Sequence, residues 1–242
     1  MRVGLFVTCL ADLMRPRIGF AALKLLESAG CEVVVPARQT CCGQPAYSAG
    51  DRAATRALAL KLIAEFDGCD YVVLPSGSCA ATIRAHYADV FRDDSENAPR
   101  AAQLAAKTFE LTDFLVSVLG VETVPGDFCG DITYHDSCSG LRELGIKDQP
   151  RALLASMPGV VLREMPAAEE CCGFGGAFAV KFGDISARIA ERKCVNIQAA
   201  GATAVVGGDL GCLLNIEGKL RRMGDETTQV LHVAEVLAGP LD

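Results

Sequence analysis

The chain has 242 residues, 12 of them cysteine, with 50% hydrophobic and 22% charged residues and a formal net charge of −7. This balance excludes a disordered chain, and an acidic sequence without a basic run excludes nucleic acid and anionic membrane surfaces as partners. A disulfide-stapled secreted scaffold is normally far shorter, so the cysteine content points to metal-binding or catalytic thiols.

From the N-terminus, Arg2 to Thr8 reads as a short buried strand with Cys9 at its carboxyl end. The run is too short for a secretory leader, and Asp12, Arg15 and Arg17 follow it without a small-residue cleavage site. No stretch approaches the roughly 18 apolar residues of a membrane span, so a soluble, cytoplasmic protein with reduced thiols is expected. Residues 16–29 carry helical spacing through Ile18, Ala21, Ala22, Leu25 and Leu26 and stop at Gly30. Glu32 to Val35 predicts a second strand, closed by Pro36, and the loop beyond it holds Cys41-Cys42-Gly43. Asp51 opens a helix that runs to Phe66. Tyr71 to Leu74 predicts a third strand, ended by Pro75-Ser76-Gly77-Ser78-Cys79, before another helix. The polar stretch 92–100 predicts a surface loop, followed by a helix ending at Leu119-Gly120. Pro125-Gly126-Asp127 is the expected joint between two halves, 1–125 and 126–242.

The second half repeats the first. Ile132-Thr133-Tyr134 leads to Cys138, Val160 to Glu164 leads past Pro166 to Cys171-Cys172-Gly173, and Ala204-Val205-Val206 leads to Cys212. The closing helices also correspond, Leu111 to Leu115 against Val233 to Leu237. Offsets of 129, 130 and 133 residues between equivalent cysteines indicate an internal duplication. Strands alternating with helices predict an α/β fold of two pseudo-symmetric repeats, each a mainly parallel sheet flanked by helices. The cysteine-rich loops fall at the strand carboxyl ends, where open α/β sheets place their ligands.

Each half therefore offers four thiols from three loops: Cys9, Cys41, Cys42 and Cys79, then Cys138, Cys171, Cys172 and Cys212. Vicinal cysteines bond each other only with strain, and the glycine after each pair lets the backbone turn sharply. Thiolates suit iron–sulfur clusters and zinc alike. Structural zinc normally uses close Cys-x-x-Cys knuckles, which neither half contains. Adjacent alpha carbons only ~3.8 Å apart are awkward around one small ion, whereas several iron atoms can share adjacent thiolates, so the spacing favours a cluster. Eight buried structural cysteines are the alternative without metal. Gly173-Phe174-Gly175-Gly176 follows a cysteine pair rather than a strand, so its amides are expected to serve sulfur rather than phosphate. His135 reads as a core histidine or a proton relay, Arg84, His86 and Arg142 are unattached candidates for binding a carboxylate, and Cys31, Cys69, Cys129 and Cys194 read as packing thiols.

The doubled pattern, together with Leu74-Pro75-Ser76-Gly77-Ser78-Cys79, His135-Asp136-Ser137-Cys138 and Cys171-Cys172-Gly173-Phe174-Gly175-Gly176, resembles the CCG-domain iron–sulfur proteins over almost the whole chain. That group includes the cysteine-rich component of heterodisulfide reductase and the iron–sulfur component of glycolate oxidase, and the nearest likeness is to the lactate utilisation protein A family. The resemblance implies an iron–sulfur electron-transfer subunit that works with other lactate-utilisation iron–sulfur subunits to oxidise L-lactate to pyruvate. It implies one 4Fe-4S-type cluster per repeat, held by the eight cysteines named above. The heterodisulfide reductase component ends its motif in Cys-x-x-Cys, whereas here the fifth position is Ser76 in one half and Asp209 in the other. These two are candidate additional ligands. The competing readings are a subunit for cluster-based thiol–disulfide chemistry or glycolate oxidation and, from another class, a zinc-stabilised interaction module.

Overall fold

Short apolar runs, several rich in β-branched residues, build eight strands in the computed structural model, which describes residues 1–241. Strands β1 (Arg2–Leu5), β2 (Glu32–Val34), β3 (Tyr71–Leu74) and β4 (Thr108–Glu110) form one sheet in the order β2-β1-β3-β4. Strands β5 (Gly130–His135), β6 (Val160–Leu162), β7 (Ala204–Gly207) and β8 (Gln229–His232) form a second in the order β6-β5-β7-β8. Every pairing is parallel. The central strands explain why. Val72, Val73 and Leu74 in one sheet and Ala204, Val205 and Val206 in the other are fully buried, as expected of strands covered by helices on both faces.

The flanking helices follow their predicted spacing. Arg17–Ser28 turns Ile18, Ala21, Ala22, Leu25 and Leu26 inward. Arg52–Glu65 is opened by Asp51, whose carboxylate accepts the Ala54 N–H at 2.9 Å and so satisfies one otherwise unpaired amide of the first turn.

Two edge strands depart from the sequence reading. The helix expected after residue 100 is instead Ala98–Ala106, then β4, then a helical turn Leu111–Asp113 that widens into a π-helical segment, Phe114–Val118. Strand β8 lies in a stretch that carried no strand signal. Both are three or four residues long with polar ends, too brief for a period-2 pattern. They form because β3 and β7 each present an open ladder edge to them.

The two repeats share much of their interior. One hydrophobic cluster runs from Val3, Leu5 and Leu26 to Ile132, Leu154 and Leu237, and a second, around Phe6, Phe66 and Tyr87, belongs to the first repeat. The closing helix of the second repeat, Val233–Ala238, packs on Arg17–Ser28 of the first, and Asp148–Ala155 of the second packs on Leu111–Val118 of the first. The closing helices are thus exchanged between repeats. The connection is strapped down where the Gly126 N–H donates to the Leu237 carbonyl at 2.8 Å. Among the described residues no helix is long and apolar enough to cross a membrane.

Candidate metal centre

In a parallel sheet all carboxyl ends lie at one edge, and each of the eight cysteines of the two sets follows one. Beyond β1 the backbone at Thr8 takes φ 75°, and Cys9 begins the helix Cys9–Met14. Beyond β2 come Cys41 and Cys42, and beyond β3 Ser76 caps the short helix that carries Cys79, accepting its N–H at 3.3 Å. The second repeat does the same. Ser137 caps the helix that starts at Cys138 by accepting the Gly140 N–H at 3.3 Å, Cys171 and Cys172 follow β6, and Cys212 lies in Leu210–Arg222. The two sheet edges face each other. All eight cysteines line one cavity of about 140 Å³, together with Ser76, Ser78, Ser137 and Asp209.

The glycines after the cysteine pairs serve this geometry. Gly43 and Gly173 both take left-handed backbone angles, φ 88° and 86°. A Cβ on Gly173 would also lie 2.6 Å from the Ser186 carbonyl oxygen, so no other residue fits without displacing backbone. The turn aims amides back at sulfur: Gly43 N–H lies 3.4 Å from Cys41 Sγ, Gly173 N–H 3.3 Å from Cys171 Sγ, and Phe174 N–H 3.4 Å from Cys172 Sγ.

The thiols within each set share protons. Hydrogen bonds from Cys42 and then Cys9 bring Cys41 down to about 2, while Cys9 and Cys42 are pushed far above the ordinary thiol range, first by the same contacts with Cys41. Cys171 falls to about 2 through Cys138 and then Cys172, and both of those rise, first through their contact with Cys171. One sulfur per set is favoured as thiolate while the two cysteines bonded to it resist further negative charge in the same space, a repulsion that a multivalent cation among them would relieve. Four soft donors of this kind fit an iron–sulfur cluster or zinc.

The two fifth positions meet each other. Ser76 Oγ donates to Asp209 Oδ1 at 2.8 Å, Ser78 Oγ donates to the same oxygen at 2.7 Å, and Ser78 N–H donates to Asp209 Oδ2 at 3.0 Å. Asp209 stands at the start of its own helix without capping it by a side-chain bond. It caps the opposing helix of the first repeat instead. Close approach allows this, since a Cβ on Gly77 would lie 3.0 Å from Gly140 Cα and 3.2 Å from Asp209 Oδ2. His232 reinforces the seam, its Nε2 donating to the Pro75 carbonyl at 3.1 Å while Nδ1 accepts the Ala234 N–H at 3.1 Å.

His135, only 1% exposed, ends β5 beside the second set, where an imidazole nitrogen and the sulfurs of Cys172 and Cys212 lie within 4.8 Å of one another. Neither ring nitrogen has a hydrogen-bond partner among the described residues. Burial, then the Lys193 ammonium, holds the imidazole down to about 3 and thus neutral.

Other sequence candidates lie elsewhere. His86 pairs with Glu143 at 2.8 Å and stacks on Tyr47, and Arg84 lies over Phe109. Arg142 lines one surface cleft with Lys147 and Arg151 and another that reaches Cys171 from the outside. Cys31, Cys69 and Cys194 are buried packing thiols, but Cys129 is exposed, because it lies in the loop just ahead of β5 rather than under a helix. Three buried groups escaped the sequence reading: Glu110, His232 and Lys193, the last with its ammonium donating to the Ala167 and Ala168 carbonyls at 3.0 Å each, ahead of Cys171. Glu110 and His232 stand immediately before the matched closing helices. Extending that match one residue toward the N-terminus aligns them.

The profile of the cysteine-rich CCG domain matches residues 3–84 and again 132–217. The chain is 43% identical over 242 residues, all of both chains, to lactate utilization protein A 2 of Bacillus cereus (strain 03BB102). It is 48% identical over 237 residues, 98% of each chain, to lactate utilization protein A of Geobacillus kaustophilus (strain HTA426). A crystal structure of a hypothetical protein from Helicobacter pylori shares the fold, with a TM-score of 0.68 at 10% identity. That match covers 100% of this chain and 49% of the other.

Proposed function

The chain belongs to the CCG cysteine-rich domain family, and from that premise we propose that it is an iron–sulfur electron-transfer subunit acting in the oxidation of L-lactate to pyruvate. The observation that carries the reading is the pair of four-thiol sets on one cavity. Cys9, Cys41, Cys42 and Cys79 would hold one centre and Cys138, Cys171, Cys172 and Cys212 the other. A bound iron–sulfur cluster supplies one-electron storage, and two of them match the two electrons released when a 2-hydroxy acid becomes a 2-oxo acid.

The chain's own residues tune and insulate these positions. The Gly43, Gly173 and Phe174 amides direct positive dipoles at sulfur, and hydrogen bonds of this kind set reduction potential. Cys42, Cys79, Cys172 and Cys212 are buried, which limits water at the inner side of both sets. Cys9 is exposed, so the first set reaches the surface where a partner protein would exchange electrons. The partners under this reading are the other lactate-utilisation iron–sulfur proteins, and the compartment is the cytoplasm, where thiols stay reduced.

The test is iron and sulfide content after anaerobic reconstitution of wild type, Cys41→Ser and Cys172→Ser. Each substitution is expected to lower iron by about half, because each removes one ligand from one set of four. Loss of all iron from either single change would show one shared site instead. Tight zinc with no sulfide would leave the zinc-stabilised interaction module.

A further inference from the structure

We infer that His135 is a fifth, nitrogen ligand to the metal centre of the second repeat, and that the first repeat has no counterpart. This rests on the iron–sulfur reading above.

The duplication supplies an internal control. His135 aligns with Phe6, each three residues before the first cysteine of its set: His135 ends β5 opposite Gly207, and Phe6 directly follows β1, its N–H donating to the Val73 carbonyl at 2.9 Å. Phe6 is fully buried in a hydrophobic cluster with Cys42, Cys79 and Phe66. The fold therefore accepts a plain hydrocarbon ring beside the inner two cysteines and has no packing need for a polar one. In the second repeat the same place holds an imidazole with neither nitrogen hydrogen-bonded among the described residues. An unpaired buried polar atom loses its hydration with nothing in exchange, so two of them call for a compensating partner in the working protein. The other buried histidine shows the ordinary solution: His232 engages both nitrogens, with Pro75 and Ala234.

The direction His135 faces names the partner. Its nitrogen shares a space within 4.8 Å with the sulfurs of Cys172 and Cys212, the inner pair of the second set. A neutral imidazole presents a lone pair, and imidazole suits iron as thiolate does. The Lys193 ammonium is occupied by the Ala167 and Ala168 carbonyls and makes no bond to the ring. His135 thus completes a mixed sulfur and nitrogen donor set in one repeat, against sulfur alone in the other.

The test uses the reconstituted full chain, reduced under anaerobic conditions, with pulsed EPR as the readout. Protein grown with nitrogen-15 histidine is compared with unlabelled protein, which needs no substitution. Of the three histidines, His86 is held by Glu143 and His232 by two backbone groups, so a strong histidine coupling reports His135. The expected result is a directly bonded nitrogen coupling on one of the two iron signals, changed by the isotope and abolished in His135→Phe. That variant places in the second repeat the residue the first already carries, and it should keep iron in both. A coupling of only hydrogen-bond strength, or one unmoved by histidine labelling, overturns the ligand. Iron present in both repeats with no histidine coupling defeats this inference alone. Failure to bind iron and sulfide defeats the functional reading with it.

Discussion

Glu110 carries a pH dependence that can be worked out from one side chain. It is 3% exposed and accepts from the Thr112 N–H at 2.7 Å, the Thr112 hydroxyl at 2.6 Å and the Asp113 N–H at 3.2 Å. Burial outweighs these bonds and raises it from 4.5 to about 7. The unfolded carboxyl ionises first as pH rises, so between these values the folded state holds the extra proton. Stability therefore falls across that window and levels off above it. At about 1.4 kcal/mol per unit the loss is on the order of 3 kcal/mol. Glu110→Gln keeps an oxygen acceptor and removes the proton. Urea midpoints measured at about pH 5 and about pH 8 should fall further in wild type than in the variant, and equal falls would refute the assignment.

Among the elements, the helix carrying Cys79 depends on a cap from the other repeat. Asp209 accepts three hydrogen bonds there, two from hydroxyls and one from the Ser78 amide. Charge-assisted bonds of this kind contribute more than neutral ones, so Asp209→Ala is expected to cost about 3 kcal/mol and Asp209→Asn about 1 kcal/mol in urea unfolding. Iron content should survive the asparagine change, whereas its loss would make Asp209 a ligand. How much of this was legible follows from what a sequence encodes. Strands β2, β3, β6 and β7 and the loops beyond them are marked by apolar runs that lead to Pro36, Pro75, Pro166 or Gly207, and both cysteine frames could be read directly. Strands β4 and β8 could not, because polar residues at both their ends interrupt the apolar run that marked the equally short edge strands β2 and β6. Nor could the bond between Ser76 and Asp209, since spacing places each residue in its own repeat and carries nothing about how the repeats face. His135 stood visibly three residues before Cys138, but the lack of hydrogen-bond partners for its ring is fixed only once β5 is packed.

At the scale of the whole molecule, the exchanged closing helices make the two repeats one folding unit. Leu237, fully buried on the second repeat's closing helix, belongs to the cluster that also contains Leu26 of the first. Leu237→Ala is expected to cost about 3 kcal/mol and to lower a single cooperative transition monitored by circular dichroism. Two separate transitions, with only one displaced, would show that the repeats unfold independently. The exchange also bears on ancestry. A half-length chain of this design would leave its closing helix without a seat and would be complete only as a twofold pair, in which every residue occurs at both equivalent places. Joined in tandem, the copies are freed from that identity. Phe6 can answer His135, Ser76 can answer Asp209, and Glu110 can answer His232. A symmetric dimer encoded by one gene of half the length has no means of writing those differences.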